Sequence, residues 1–219
     1  MNPDDLQEWF DRVHTTLEDA YLAHSEPWRQ SGMSGPYQRW EALRRPVADC
    51  IDCSGSFLDI GCANGYLLEC VMGWKAEGGI TIDPFGLDIS SALIELAKIR
   101  LPEFSDHFYT ANAYEWLPPR RFDFVRTELV YVPAEHEREY ILRLLEEVVA
   151  PGGKLLVANY MEEHPDPQQG LLPGSYPARD LLARLALLGL KPLSWRDGYD
   201  PVKNRKVRVA ILDRDTHLS

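Results

Sequence analysis

The chain has 219 residues, 45% of them apolar, and a formal net charge of -11. That length suits one α/β domain with an N-terminal extension, and that apolar share suits a substantial globular core. The acidic balance argues against a nucleic-acid backbone as the main partner, since phosphate neutralisation needs clustered Lys and Arg. With no apolar run long enough to span a bilayer and no positive-then-apolar start, the expectation is a cytoplasmic protein with no membrane partner.

Residues 4–24 carry Leu6, Trp9, Phe10, Val13, Leu17, Tyr21 and Leu22 at helical spacing, and Pro3, Asp4 and Asp5 suit a helix start. Residues 25–37 mix turn residues with Trp28 and Tyr37 and predict a loop. A second helix has Trp40, Leu43, Val47 and Ile51 on its apolar side, with a break or restart expected near Pro46. Residues 1–53 therefore read as a helical cap, and 54–219 as the main domain. Phe57–Ile60 is a short apolar run that predicts a buried parallel strand. A sharp turn on Gly61 and Gly65 follows, and then Tyr66, Leu67, Leu68, Val71 and Met72 fit a helix packed on a sheet. Residues 73–84 read as a loose connection.

A second strand is expected over 85–90, ending at Asp88, with Ser90 or Ser91 capping the next helix. Further strands are expected near 107–110, at 122–126 and at 154–159. The helix 135–149 precedes the tight turn Pro151-Gly152-Gly153. Residues 160–176 predict a long loop, 177–188 a helix, and 190–197 with 206–213 an antiparallel edge. Cys50 and Cys53 form a lone C-x-x-C with no second pair at zinc spacing, so core or loop thiols are expected rather than a metal site.

The turn after the first strand narrows the ligand. A dinucleotide fingerprint needs small residues at its first, third and sixth places, and counting from Gly61 the sixth is Tyr66. Gly61, Ala63 and Gly65 instead put small residues at the first, third and fifth places, with Asp59 two residues ahead. This stretch resembles motif I of the class I S-adenosylmethionine (SAM) methyltransferases, with alanine in place of the central glycine. Residues 145–155, ending Ala150-Pro151-Gly152-Gly153-Lys154-Leu155, look like the same family's segment before its fifth strand. The resemblance covers most of 54–213. It implies an α/β fold with a doubly wound, seven-stranded, mostly parallel sheet, the seventh strand inserted antiparallel beside the fifth.

The resemblance also implies where SAM would lie and S-adenosylhomocysteine would form, with no metal. The cofactor would cross Gly61, Cys62, Ala63 and Gly65, and continue over Asp88, Ile89, Asn112 and Ala113 to Thr127. Asp59 would position the turn and the cofactor's amino group, or else merely cap the turn. Asp88 would accept both ribose hydroxyls, because a carboxylate offers two acceptor oxygens. Ile89 would pack on the adenine, and Asn112 would read its edge unless it is only a turn residue.

Residues 126–133 leave the fourth strand at the frontier between cofactor and substrate. They lack the Asn/Asp-Pro-Pro-aromatic signature of amino-methylating DNA enzymes, which further lowers the case for a nucleic-acid substrate. Glu128, Tyr131 and His136 are the catalytic candidates, each with a solvent-exposed or structural alternative; His164 in the long loop is undetermined. Trp28, Tyr37 and Tyr160 either line an aromatic lid or staple the cap to the sheet. The activity implied is methyl transfer to a small molecule by a monomer or homodimer. The competing readings are a non-catalytic SAM-binding or interaction module, protein methylation through an open groove, and a nicotinamide-dependent oxidoreductase.

Overall fold

The structure is a computed structural model, and it describes residues 3–32, 35–160, 180–202 and 204–215. Its helices are α1 Pro3–Leu22, α2 Tyr37–Asp49, α3 Tyr66–Ala76, α4 Ser91–Arg100, α5 Glu137–Arg143 and α6 Leu181–Leu187. Its strands are β1 Gly55–Ile60, β2 Ile82–Asp88, β3 Phe108–Thr110, β4 Phe122–Glu128, β5 Val149–Asn159, β6 Ser194–Asp200 and β7 Arg205–Asp213. They form one seven-stranded sheet in the order β3-β2-β1-β4-β5-β7-β6. β1 to β5 pair in parallel, and β7 runs antiparallel to both β5 and β6. The order reverses between β1 and β4. In open α/β sheets, the crevice beyond the strand ends at such a reversal is where ligands bind.

Two apolar layers sandwich the sheet. On one face Leu58, Ile60, Val125 and Val157 pack with Tyr140, Ile141 and Leu145 of the α5 region and with Trp9 and Phe10 of α1. On the other, Phe57, Phe124, Leu156 and Val209 pack with Trp40, Leu43 and Val47 of α2 and Leu68 and Val71 of α3. Helix α2 is thus one layer of the sandwich, so the core packing has no break at residue 53.

Several expectations are corrected. α2 continues through Pro46 without a break. Pro46 gives up its bond to the Ala42 carbonyl, and Gly198 lets β6 approach there: a Cβ on Gly198 would stand 2.7 Å from Pro46 Cγ and 2.8 Å from Ala42 O. The connection after motif I is short, because α3 runs through the exposed Gly73 and β2 starts at Ile82. β2 accommodates Pro84 because β3 begins only opposite Gly86, so at Pro84 the strand is still an edge. The helix expected over 135–149 tightens at its start, with a 3-10 turn at Ala134–His136, and widens after Arg143 into a π-helical turn, Leu144–Val148. Pro151-Gly152-Gly153 lies within β5, where the pairing with β4 slips between Phe122 and Phe124. Most of the expected loop 160–176, including His164, lies outside the described residues, as does the start of the helix expected at 177. No helix among the described residues is long and apolar enough to cross a membrane.

Candidate active site

The ends of β1, β2 and β4 meet at the glycine turn. Gly61 and Gly65 have φ of 73° and 72°, and Ala63, at 48°, also takes the left-handed conformation. The turn's amides are used within the protein. Gly61 N and Cys62 N both donate to Leu87 O, at 2.7 and 3.1 Å, and Gly65 N donates to Cys62 O at 3.0 Å. Ala63 N donates to Asp88 Oδ2 at 2.8 Å, and Tyr66 N to Asn64 Oδ1 at 3.2 Å. Asn64, fully buried, also donates to Pro27 O and Gln30 Oε1, which ties the loop before α2 onto the turn.

Carboxylates converge on the same place. Asp88, at the end of β2, accepts one bond per oxygen, from Ala63 N and from Ser90 N at 2.9 Å. Burial pushes its carboxyl above the ordinary range while these amides pull it back. Asp59, buried in β1, is pushed up to about 6, chiefly by burial and against the pull of Arg126. α1 closes over this corner: Glu18 accepts from Ser90 Oγ, and His14 Nε2 lies 3.0 Å from Glu18 Oε2.

At the end of β4, Arg126 is 2% exposed and organises a network. Its Nη1 donates to Asp59 Oδ1 at 3.2 Å, Ile60 O at 3.0 Å and Tyr131 Oη at 2.7 Å. Its Nη2 donates to Glu128 Oε1 and, at 3.2 Å, to Tyr160 Oη. Tyr131 Oη donates to Glu128 Oε1 at 2.9 Å. Burial, opposed by Arg126, holds the Tyr131 phenol well above its usual range. Its ring fills the space a side chain on Gly61 would need, since a Cβ there would stand 2.5 Å from Tyr131 Cζ.

Among the sequence candidates, Asp59, Gly61, Ala63, Gly65, Asp88, Glu128, Tyr131 and Tyr160 therefore meet in this crevice. Asn112 follows β3 and closes a turn by accepting from Tyr114 N at 2.9 Å. Arg143 holds that segment from α5, donating to the carbonyls of Ala113 and Trp116. Ile89 is half-buried against the α5-side core. His136 pairs with Tyr114 Oη at 3.1 Å, and its Nε2 is buried without a partner.

Other candidates point elsewhere. Thr127 faces the opposite side of the sheet from Arg126 and bonds Tyr140 Oη at 2.7 Å in the core, so its hydroxyl is not offered to a ligand. Cys62 turns its thiol inward, where it would stand 2.7 Å from a Cβ on Gly86. Trp28 packs edge-on against Tyr37 at the start of α2, at 5.9 Å, and Tyr37 stacks on Trp40 of the same helix at 6.1 Å, so the pair ties the segment before α2 to that helix. The sequence reading missed Arg126 and Asn64. For Arg126 a signal existed: an arginine inside an otherwise apolar strand needs buried partners.

The donor set discriminates between cofactors. A pyrophosphate site leaves turn amides open to an anion, whereas here five are already bonded and buried acids face the crevice. That fits a cationic sulfonium ligand with a ribose. Each Asp88 oxygen carries one protein hydrogen bond and retains acceptor capacity for a ribose hydroxyl. No group of His, Cys, Asp and Glu among the described residues is arranged to hold a metal.

Comparison with known proteins agrees. Residues 58–157 match the model of a methyltransferase domain. A Burkholderia thailandensis 1,6-didemethyltoxoflavin N1-methyltransferase, solved with that compound and S-adenosylhomocysteine, superposes with a TM-score of 0.66 at 14% identity, over 94% of this chain and 88% of that one. Magnesium protoporphyrin IX methyltransferase from Synechocystis PCC 6803, solved with SAM, gives 0.58 at 16% identity over 92% and 95%. The [4+2]-cyclase SpnF gives 0.59 at 21% identity over 91% and 75%, so the fold also hosts other chemistry. A search of curated proteins finds no match. Residues 58–157 thus carry a methyltransferase domain, set in a sheet of the order these solved structures share.

Proposed function

We propose that this chain methylates a small molecule at an atom that loses a proton, with Glu128 as the base. The observation that carries this reading is the anchoring of Glu128 at the end of β4. Its Oε1 accepts from both Arg126 and Tyr131, while Oε2 has no partner among the described residues and is not buried. Two donors on one oxygen fix the carboxylate's orientation, and the other oxygen remains to take a proton. When bound, SAM supplies an electrophilic methyl carbon, and the C–S electron pair returns to sulfur to leave the neutral thioether. Asp88 holds the ribose hydroxyls beside the turn Gly61–Gly65. The neighbours' own compounds, a toxoflavin precursor and a protoporphyrin, support a small acceptor.

Two measurements test this. Label from methyl-labelled SAM, incubated with enzyme and a cell extract, is expected in the small-molecule fraction; label confined to protein would move the acceptor to a polypeptide. Glu128→Gln is expected to lower kcat by about a hundredfold or more, within the range of general base catalysis. Its affinity for S-adenosylhomocysteine should stay within about twofold, since that bond set lies at the acceptor side. Unchanged kcat would remove Glu128 as the base.

A further inference from the structure

The two edges of the sheet are unlike. β3 is only three residues long, Phe108–Thr110. β6 has seven, Ser194–Asp200, with no proline or lysine among them, and among the described residues it pairs with β7 alone. A long strand edge is a template for another strand, and native edges are commonly shortened or given outward charges. β6 has charges, but each is held within its own chain. Asp197 accepts from Arg208 Nε at 2.7 Å and from its Nη2 at 2.8 Å. Asp200 accepts from the buried Arg39, and Arg196 Nη1 folds back onto Trp195 O at 3.0 Å.

Side chains along β6 alternate between faces. Gly198 and Asp200 lie under α2, where Pro46 and Ala42 rest on Gly198 and Arg39 bonds Asp200. Trp195, Asp197 and Tyr199 share the other face, and the two aromatics are 47% and 51% exposed. Leu193 and Val202, also exposed, flank the two ends of the strand. Large aromatics on an open face beside a free strand edge are the composition of an interface.

The pattern along the strand selects the occupant. Antiparallel pairing of β6 with itself about Asp197 sets Trp195 opposite Tyr199 twice, once on each side of the centre, and Arg196 opposite Gly198, which has no side chain to obstruct it. It also brings the Leu193 end of one strand to the Val202 end of the other. Two Asp197 meet at the centre, and like charges directly opposite normally weaken a pair. Here each arrives with both oxygens on Arg208, whose guanidinium also lies 5.6 Å from the centre of the Trp195 ring. Residues 194–213, which hold β6 and β7, carry five Lys and Arg against three Asp, in a chain of net charge -11. Two copies therefore meet here without bringing net negative charge together.

We propose that β6 pairs antiparallel with β6 of a second copy, about a two-fold at Asp197, and joins the two sheets into one. The contact uses the same surface on both copies and closes as a homodimer. It draws on no residue of the crevice.

Sedimentation of the full chain over a micromolar concentration series tests this. The wild type is expected at twice the 25.0 kDa of one chain. Trp195→Glu is expected to raise the dissociation constant of the dimer about a hundredfold or more, because the two-fold puts the new carboxylate into both aromatic pairs. Its Tm should match that of monomeric wild type, since the position is exposed. Tyr199→Glu is expected to act in the same way and serves if Trp195→Glu fails to fold.

Disulfide trapping reads the register and decides alone if neither variant folds. Trp195→Cys and Tyr199→Cys are each made together with Cys53→Ser, which removes the exposed native thiol. An equal mixture of the two is expected to give a linked dimer on oxidation, and neither by itself. A wild type that stays monomeric throughout the series would overturn the proposal, as would a dimer that both carboxylate variants leave intact. A mixture that links no better than either cysteine variant alone would overturn it too.

Discussion

Replacing Arg126 by methionine is expected to destabilise the fold by about 3–5 kcal/mol, because it leaves buried charge without its partner. Asp59 loses its ion pair, Glu128 loses one of two donors, and the hydroxyls of Tyr131 and Tyr160 lose theirs. For a chain of this size that corresponds to a fall in Tm of roughly 10 °C or more. The pH dependence follows from Asp59. Its folded value of about 6 lies above its ordinary 3.8. Folding therefore takes up a proton between those values, and the group's contribution to stability falls as pH rises through that window. Without Arg126 to pull it down, the folded value rises further and the window extends upward. The deficit of Arg126→Met relative to wild type should thus be larger at about pH 8 than at about pH 5. Thermal melts at both would check this, and an equal deficit would mean that the charge of Arg126 does not hold Asp59.

Gly61→Ala is expected to disturb both the fold and the cofactor site. The left-handed φ of 73° costs an alanine about 1–2 kcal/mol. The new methyl would also stand 2.5 Å from Tyr131 Cζ. Moving that ring breaks the Tyr131 bonds to Arg126 and Glu128, so a total loss of about 2–4 kcal/mol is expected. Urea denaturation of Gly61→Ala, Tyr131→Ala and the double variant separates the parts. The double variant should lose less than the sum, because the collision no longer exists once the ring is gone. Additive losses would mean that the ring does not rest on the turn.

The element order, the sheet and the motif I turn were legible because their signals are local. An apolar run, two glycines and a helical stripe lie within sixteen consecutive residues, and Asp88 ends the next strand. What was not legible depends on residues far apart in sequence. Arg126 meets Asp59 across 67 positions, and Arg39 meets Asp200 across 161. The misplacement of Thr127 was avoidable in principle. Strand side chains alternate faces, so once Glu128 is assigned to the crevice, Thr127 belongs to the core. Trp28 and Tyr37 were ambiguous for a different reason: aromatics suit a lid and a staple equally, and only the position of Trp40 decides between them. The course of α2 through Pro46 depends on Gly198, which a reading of α2 alone could not reveal.

The most direct test of the central claim is calorimetry of S-adenosylhomocysteine on the wild type and on Asp88→Asn. The replacement keeps the shape of Asp88 while removing its charge and one acceptor oxygen. The account predicts wild-type binding that Asp88→Asn weakens by about 10- to 100-fold, as charge-assisted bonds to the ribose are lost. Folded wild-type protein that gives no binding heat across a range of temperatures, or equal affinity in the two proteins, would contradict it.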